Sequence, residues 1–460
     1  MDLMEYLRSI RGKRAAVLGI GVSNTPLVEL LLQGGVRVTA CDRKDRAALG
    51  DTAAHLEALG AELRLGNDYL HNLDADLVFR TPGMRPDLPE LEAAKAGGAQ
   101  ITSEMQVFFE VCPCPIIAVT GSDGKTTTTS IIAELLRAAG KNVWLGGNIG
   151  HPLLSEAGQI CPEDYAVLEL SSFQLMDMTH SPHIAVMTNL APNHLDVHRD
   201  MAEYIDAKEN IFRYQKAGDT TIFNQDNDIT RALSAKAVDR VRMFSRCSSV
   251  DDGAFVRNGA ILLRRDGAER AVMKTADIRI PGAHNVENYL AALTAVDGLV
   301  PDETARQVAR SFNGVEHRIE LVRERRGVKW YNDSIASSPT RTIAGLRSFD
   351  RKVVLIAGGY DKHIPFAPLA PEVVERVKLL ILCGATASAI REAVTRCDAY
   401  RGHPEIEETA SLQDAVDYAA AHTEPGDIVT LSPACAAFDQ FANFMERGKA
   451  FKTMVNALPE

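Results

Sequence analysis

The stretch at residues 120–127, TGSDGKTT, constrains the fold of this chain more than any other. It follows an apolar, β-branched run at 116–119 and precedes a helix-like pattern at 131–136. A strand, a glycine-bearing loop and a helix in this order predict a nucleoside triphosphate site, because glycines let backbone N–H groups approach phosphate and a helix N-terminus attracts anions. We expect Lys125 to reach the outer phosphates and Thr126 to bind Mg²⁺. An ordinary turn at a helix start is the minority alternative.

The loop is shorter than the standard P-loop. That pattern has a glycine five positions before Gly124, where Val119 stands, and the nearest glycine is Gly121. The spacing therefore indicates a variant of the phosphate loop.

Length, composition and charge indicate a multidomain globular protein. The chain has 460 residues, of which 46% are hydrophobic and 24% charged, and about 150 residues per domain predicts roughly three domains. The net charge of -11 argues against nucleic-acid binding, because few basic groups are left to neutralise phosphates. No apolar run approaches the roughly 20 residues that span a bilayer. We expect a cytoplasmic monomer that binds neither nucleic acid nor membrane.

The eight cysteines are scattered along the chain, as is typical of free thiols in a reducing cytosol. Cys112-Pro113-Cys114 has neither a second pair nor Cys-x-x-Cys spacing, which favours a linker over a metal or redox site.

Three blocks alternate strand-like and helix-like patterns, which predicts an α/β protein with mainly parallel sheets. Strands are expected at 15–18, 36–40, 76–79, 165–170, 184–189, 353–357, 379–383 and 428–431. The predicted domains are a Rossmann-like N-terminal domain at 1–110, a central P-loop-type ATPase α/β domain at 111–312, and a C-terminal Rossmann-like α/β domain at 313–460.

In the first block, Gly19-x-Gly21 follows a strand and Asp42 ends the next one, as in a dinucleotide-binding fingerprint. Asn24 stands where that fingerprint has its third glycine. A plain strand–helix turn explains the residues equally well.

In the second block, Glu169 lies near the end of one strand and His194 just past the end of the next, and the carboxyl ends of these strands should meet the phosphate loop. Glu169 is a candidate Mg²⁺ ligand, because hard cations prefer oxygen. Lys208 lies in a helical pattern that predicts only a solvated lysine.

In the third block, a glycine pair at 358–359 precedes Lys362. This arrangement suits a carboxylate or phosphate, and a solvated turn is an equal alternative. Arg318 would suit phosphate and Asp333 ribose hydroxyls, although both residue types also form routine ion pairs.

Together these motifs resemble those of the Mur ligases, the ATP-dependent amide-bond-forming enzymes of peptidoglycan precursor synthesis. The resemblance covers essentially the whole chain and points to the members that add D-glutamate to UDP-N-acetylmuramoyl-L-alanine. The motifs are TGSDGKTT (120–127), GGNIG (146–150), LELSSFQL (168–175), HN–N (284–288), EHR (316–318), NDS (332–334) and SPACAAFDQF (432–441).

The resemblance implies a role for each domain. The first would hold the UDP substrate, the second ATP with two Mg²⁺ ions, and the last D-glutamate; Lys208 would act as a carbamate made from CO₂. Lys125, His194 and Lys208 would be catalytic. The implied ATP ligands are Gly121, Ser122, Asp123, Gly124, Lys125, Thr126, Thr127, Asn288, Arg318 and Asp333. Those of the UDP substrate are Val22, Ser23, Asp42, Arg43, Thr81, Pro82, Gly83, Asn148 and His194. Those of D-glutamate are Ser337, Lys362, Phe438 and Phe444, and those of the metals are Thr126, Glu169, His194 and Lys208.

Two residues depart from the family pattern. Ile335 stands where many relatives have lysine, and Ala437 where a serine often lines the D-glutamate pocket. Another amide ligase of the superfamily, such as a folylpolyglutamate synthase, is therefore the first alternative. An NAD-dependent oxidoreductase and a nucleotide-binding switch are more distant ones.

Overall fold

The computed structural model describes residues 1–191 and 198–460. It contains three sheets, of five, nine and six strands. Two compact units are formed, one by residues 1–275 and 287–308 and the other by 276–286 and 309–460. The first unit holds two sheets and the second holds one, which confirms the α/β class. The domain limits at 110/111 and 312/313 stay a prediction.

The first sheet has the order β3-β2-β1-β4-β5, and all of its strands are parallel. Its strands are β1 (Arg14–Leu18), β2 (Arg37–Asp42), β3 (Glu62–Leu65), β4 (Leu77–Phe79) and β5 (Gln100–Thr102). The helices of this part are α1 (Leu3–Ile10), α2 (Asn24–Gln33), α3 (Arg46–Leu49), α4 (Asp51–Ala58), α5 (Pro89–Ala96) and α6 (Glu104–Val111). The three predicted strands are present, and the short β3 and β5 are additional.

The second sheet places the strand before the phosphate loop between two parallel neighbours. Its strands are β6 (Ile116–Thr120), β7 (Val143–Gly147), β8 (Tyr165–Glu169), β9 (Ile184–Met187), β10 (Thr220–Asn224), β11 (Arg240–Ser245), β12 (Gly253–Arg257), β13 (Ala260–Arg265) and β14 (Ala268–Lys274). The order is β14-β13-β12-β11-β10-β9-β6-β8-β7. Strand β13 is antiparallel to both of its neighbours. The helices are α7 (Lys125–Ala138), α8 (Ser172–Leu175), α9 (Met201–Arg213), α10 (Asp228–Leu233), α11 (Ala283–Ala295) and α12 (Asp302–Ser311).

Strand register in this sheet brings several carboxyl ends together. Val119 pairs with Glu169, Glu169 pairs with Gly147, and Thr120 pairs with Met187. The loops that follow β6, β7, β8 and β9 therefore leave the sheet at one edge, where ligands bind in open α/β sheets.

The third sheet has the order β15-β16-β20-β17-β18-β19, with only β15 antiparallel to its neighbour among the described strands. Its strands are β15 (Glu320–Arg325), β16 (Val328–Asn332), β17 (Val353–Ala357), β18 (Val377–Leu382), β19 (Glu405–Glu408) and β20 (Ile428–Leu431). The helices are α13 (Pro339–Leu346), α14 (Ala370–Arg376), α15 (Ala387–Thr395), α16 (Leu412–Ala421) and α17 (Phe444–Ala457). In the described part of the chain, no helix is both long and apolar enough to cross a bilayer.

A buried arginine joins the first two sheets. Arg80 follows β4, and its side chain is 1% exposed. Its guanidinium donates to the carbonyl oxygens of Thr81 and Pro82 at 3.2 Å each and to that of Phe173 at 3.3 Å. Its Nε also donates to Asp177 Oδ2 at 2.9 Å. Because Phe173 lies in α8, this one side chain fixes the loop after β4 against that helix.

We expect Arg80→Met to lower the free energy of unfolding of the first compact unit by about 3 kcal/mol, because removing a buried guanidinium leaves its carbonyl and carboxylate partners without a donor. Urea unfolding followed by tryptophan fluorescence measures the change. Arg46→Ala is the control, since the Arg46–Glu57 pair is exposed, and its midpoint should match that of the wild type. Equal midpoints for the two variants would show that Arg80 matters no more than a surface arginine.

Candidate active site

At two positions of the phosphate loop, the surrounding atoms leave room only for glycine. Gly121 has φ +151°, and a Cβ there would lie 1.9 Å from Thr188 Oγ1. Gly124 has φ +78°, and its Cβ would lie 2.4 Å from Asn288 Oδ1. Both backbone conformations are ones that glycine adopts most readily. The shortened loop therefore packs directly against Thr188 and Asn288.

Asn189 holds the first half of the loop. The Ser122 N–H donates to the Asn189 carbonyl oxygen at 2.8 Å, and the Asp123 N–H donates to Asn189 Oδ1 at 2.9 Å. The hydroxyls of Ser122 and Tyr204 lie 3.0 Å apart. These two N–H groups therefore already have acceptors within the protein.

The second half of the loop is the start of helix α7. Among the described residues, no side chain caps the N-terminus of this helix. The first N–H groups of a helix have no intrahelical acceptor, and the helix dipole favours an anion there. Lys125 bends back over the loop, where its Nζ donates to the carbonyl oxygens of Gly121 at 3.0 Å and Ser122 at 2.9 Å. These features suit a polyphosphate.

Lys208 is buried, so the expectation of a solvated helix lysine is wrong. Its side chain extends from α9 to the loop, where Nζ donates to Thr120 Oγ1 and to the Gly121 carbonyl oxygen, both at 2.9 Å. The Tyr204 ring centroid lies 5.0 Å from Nζ. The amphipathic pattern did not reveal this, because the lysine contacts the end of a strand far away in the sequence.

The surroundings of Lys208 favour its neutral form. Burial lowers the pKa of the amine well below its usual range, and the nearby charge of Lys125 lowers it further. Glu169 acts in the opposite direction and does not cancel the effect. A neutral amine is a nucleophile at neutral pH, whereas an ammonium is not.

Glu169 has the character of a cation ligand. It ends β8 and is 2% exposed. Its Oε1 accepts a hydrogen bond from Asn148 Nδ2 at 2.7 Å, while Oε2 is buried with no hydrogen-bond partner in the described part of the chain. An unsatisfied buried carboxylate oxygen fits a hard cation such as Mg²⁺. Thr126 lies at the second position of α7, directly after the phosphate loop.

The rest of the predicted metal set is only partly described. Within residues 1–191 and 198–460, no group of three or more His, Cys, Asp or Glu side chains is placed to hold a metal. His194, a predicted ligand of both metal and substrate, lies outside the described residues. Glu169, Thr126 and Lys208 are the predicted ligands that the structure brings to this edge.

In the first sheet, side chains fix the turn after β1. The Asp42 carboxylate accepts hydrogen bonds from the backbone N–H groups of Ile20 at 2.6 Å and Lys44 at 2.7 Å. Asn24, which replaces the third glycine of the fingerprint, donates from Nδ2 to the carbonyl oxygens of residues 18 and 19 at 2.9 and 3.0 Å. The Gly19 turn is therefore tied to two strand ends.

The predicted UDP-substrate residues of this sheet surround that turn. A Cβ on Gly19 would lie 3.2 Å from Thr81, so the loop after β4 packs against the turn after β1. Val22 is 80% exposed, as suits a residue at the mouth of a site. Ser23, Thr81 and Pro82 are half-buried, and Arg43 and Gly83 are exposed. The predicted UDP-substrate residue Asn148 is also exposed, but it follows β7 of the second sheet, where it contacts Glu169.

In the third sheet, Asp333 is a buried carboxyl beside Arg318. Its Oδ2 accepts a hydrogen bond from Ser432 Oγ at 2.7 Å, and its Oδ1 accepts one from the Ile319 N–H at 3.3 Å. Burial raises the pKa of Asp333 to about 7, against the opposing effects of the Ser432 hydrogen bond and the Arg318 charge. Arg318 Nε is buried without a hydrogen-bond partner among the described residues. Arg318 Nε and the Asp333 carboxyl can therefore each form a further hydrogen bond with a ligand.

The predicted D-glutamate residues follow strands that end at one edge. Asn332 and Ile356 both pair with Leu431, so β16, β17 and β20 are aligned. The loops that follow these strands carry Ser337, which is half-buried, Lys362, which is exposed, and Phe438, which is 63% exposed. Phe444 begins α17 and packs edge-on against His317, and Tyr360 packs edge-on against Phe438.

Three residues that position this chemistry were missed from the sequence. The sequence predicts a strand that includes Asn189, but β9 ends at Met187, and Asn189 contacts the phosphate loop instead. Tyr204 and Arg80 gave no local signal, since their partners lie about 80 to 100 residues away. Of these three residues, Asn189 alone had a recognisable signal in the sequence, because it is a polar residue just past an apolar strand.

The chain matches the Mur ligase middle domain over residues 119–296 and the glutamate ligase domain of Mur ligases over residues 317–435. It is 52% identical to a protein of Acetivibrio thermocellus named UDP-N-acetylmuramoylalanine–D-glutamate ligase, with 99% of each chain covered. A protein of the same name from Clostridium novyi is 49% identical, again over 99% of each chain.

A solved structure shares the fold at low sequence identity. UDP-N-acetylmuramate-alanine ligase MurC from Thermotoga maritima superposes with a TM-score of 0.58 at 17% identity, covering 97% of this chain and 99% of that chain. Full-length identity near one half and matches to two consecutive family domains lead to one conclusion: the chain belongs to the Mur ligase family.

Proposed function

We propose that this chain is an ATP-dependent ligase that joins D-glutamate to UDP-N-acetylmuramoyl-L-alanine and releases ADP and phosphate. The observation that carries the proposal is the meeting of the phosphate loop, Glu169 and Lys208 at the carboxyl ends of β6 and β8. The names of the full-length relatives support this choice of substrates. All three substrates are small molecules, and we propose a cytoplasmic monomer with domains at 1–110, 111–312 and 313–460.

The reaction follows from the weakness of a carboxylate as an electrophile. One carboxylate oxygen of the UDP substrate attacks the γ-phosphorus of ATP, ADP leaves, and an acyl phosphate forms. The deprotonated amine of D-glutamate attacks the acyl carbon, and phosphate leaves as the amide bond forms. The acyl phosphate must be kept from water, which would hydrolyse it.

The chain's own contribution is to bind and to balance charge. The N–H groups of residues 124–127 would bind the β- and γ-phosphate oxygens, and Lys125 would exchange its carbonyl partners for phosphate oxygens. Thr126 and Glu169 would hold one Mg²⁺, and His194 with Lys208 a second. Bound Mg²⁺ would neutralise charge on the transferring phosphoryl group.

The buried amine of Lys208 supports carbamylation. A neutral amine adds to CO₂ to give a carbamate and one proton, and this converts a cationic side chain into an anionic oxygen ligand. The lowered pKa keeps more of the amine in the reactive form at neutral pH. A carbamate would also attract the ammonium group of Lys125.

Asp333 and Arg318 would contact ATP from the third sheet, and the loops with Ser337, Lys362, Phe438 and Phe444 would receive D-glutamate. Asp333 suits a ribose hydroxyl, since its carboxyl can donate or accept near neutral pH. In the first sheet, the turn after β1 with Asp42 and the loop at 81–83 would bind the UDP group.

A substrate-resolved phosphate-release assay tests the proposed reaction. Purified protein with ATP, Mg²⁺ and UDP-N-acetylmuramoyl-L-alanine should release phosphate when D-glutamate is added, and mass spectrometry should show the extended product. L-alanine, L-lysine, diaminopimelate and folate substrates serve as comparisons. Turnover with one of these and none with D-glutamate would reassign the chain to another ligase of the superfamily.

We expect Lys125→Ala to abolish phosphate release while the fold stays intact, because the loop then lacks the cation that faces the outer phosphates. The assay above measures the loss, and far-UV circular dichroism checks the fold. Lys141→Ala, at an exposed position just after α7, is the matched control and should retain full turnover. Near-normal activity of Lys125→Ala would refute the phosphate role.

We expect Lys208→Ala to be inactive and to recover partly with formate or acetate, because a small carboxylate can occupy the place of the carbamate. Lys216→Ala, at an exposed position soon after α9, should be fully active and unaffected by either anion. ¹³C NMR of wild-type protein in ¹³C-bicarbonate should show a carbamate signal that Lys208→Ala lacks. A folded, inactive Lys208→Ala without rescue and a wild type without that signal would contradict carbamylation.

A further inference from the structure

The Cys112-Pro113-Cys114 segment brings two thiols together. It lies between the end of α6 at Val111 and the start of β6 at Ile116. Cys112 is extended, with φ −68° and ψ 119°, which is the conformation favoured before proline. Alternate residues of an extended segment point to the same side, and the two Sγ atoms are 3.6 Å apart. The segment is thus more than the linker that the sequence predicts.

The two thiols differ in accessibility and in acidity. Cys112 is half-buried, whereas Cys114 is 2% exposed. The hydrogen bond between them lowers the pKa of Cys112 and raises that of Cys114. Cys112 lies at the C-terminal end of α6, where the helix dipole disfavours an anion. A Cys112 thiolate would therefore depend on a hydrogen bond from the Cys114 S–H group, and either sulfur can be the donor of the bond between them.

We propose that Cys112 and Cys114 form a dithiol that a hydroperoxide oxidises to an intramolecular disulfide. The Cys112 thiolate attacks the terminal oxygen of the hydroperoxide and the O–O bond breaks. The leaving oxygen takes a proton, which gives a sulfenic acid and an alcohol, or a sulfenic acid and water when the oxidant is hydrogen peroxide. The Cys114 sulfur then attacks the Cys112 sulfur, and the hydroxyl leaves as water with the Cys114 proton. Two electrons pass from the two thiols to the peroxide.

The geometry permits this step with little movement. A disulfide bond is about 2.05 Å long, so the sulfurs must approach by about 1.5 Å. Residues two apart in an extended chain have Cα atoms about 6.7 Å apart, near the upper end of the range that disulfides span. Closure would shorten the segment that leads into β6 and the phosphate loop.

Peptide mapping of the intact protein tests the proposal. Trypsin should release residues 96–125, which contain Cys112 and Cys114 and no other cysteine. After a titration with hydrogen peroxide and alkylation with iodoacetamide, this peptide should appear without alkylation and about 2 Da lighter than the dithiol. Cys161 and Cys247 are exposed and serve as internal references. They should still be fully alkylated at the peroxide concentration that closes the pair.

Two variants identify the attacking sulfur. Cys114→Ser should accumulate a sulfenic acid on Cys112, which dimedone traps, because no resolving thiol remains. Cys112→Ser should leave Cys114 reduced at the same peroxide concentration. Full alkylation of both cysteines in the wild type after Cys161 or Cys247 has been oxidised would overturn the proposal. The proposal would also be overturned if Cys112→Ser formed a dimedone adduct on Cys114 while Cys114→Ser formed none on Cys112.

Discussion

The amine of Lys208 lies inside the protein, 2.9 Å from both the Gly121 carbonyl oxygen and Thr120 Oγ1. A charged ammonium at this depth would be costly without an anionic partner, and the carboxylate that acts on it, Glu169, does not restore its pKa. The phosphate loop therefore rests on a buried amine whose surroundings favour the neutral form. The close approach of Gly121 to Thr188 and the bonds to Asn189 depend on the same strand ends.

Much of the fold could be predicted because its central strands are fully apolar. Runs such as 116–119 and 353–357 are buried on both faces of their sheets, and their boundaries agree with the structure within a residue. Strands β3 and β5 gave no such signal, since they have four and three residues and are partly exposed. A short edge strand is defined by its neighbour, which a local pattern does not contain.

The residues of the candidate site also differ in how far the sequence alone could reveal them. Lys125 and Glu169 could be identified because each stands directly beside an apolar strand or its loop. Lys208 could be identified only through the family resemblance, because its burial depends on β6, 88 residues earlier. The Arg80–Asp177 pair, 97 residues apart, had no local signal at all.

The bonds that hold the phosphate loop have a consequence for the entropy of ligand binding. Ser122 and Asp123 are already fixed by Asn189, and Asp42 and Asn24 fix the turn after β1 in the same manner. Ordering a flexible backbone costs about 1–2 kcal/mol per residue at room temperature. Because folding has already ordered these loops, a nucleotide that binds them loses little affinity to loop ordering. Selectivity then depends on how well the shape of the ligand fits the loops, and less on movement of the loops around it. A rigid analogue that matches these loops should therefore bind with a small entropic penalty.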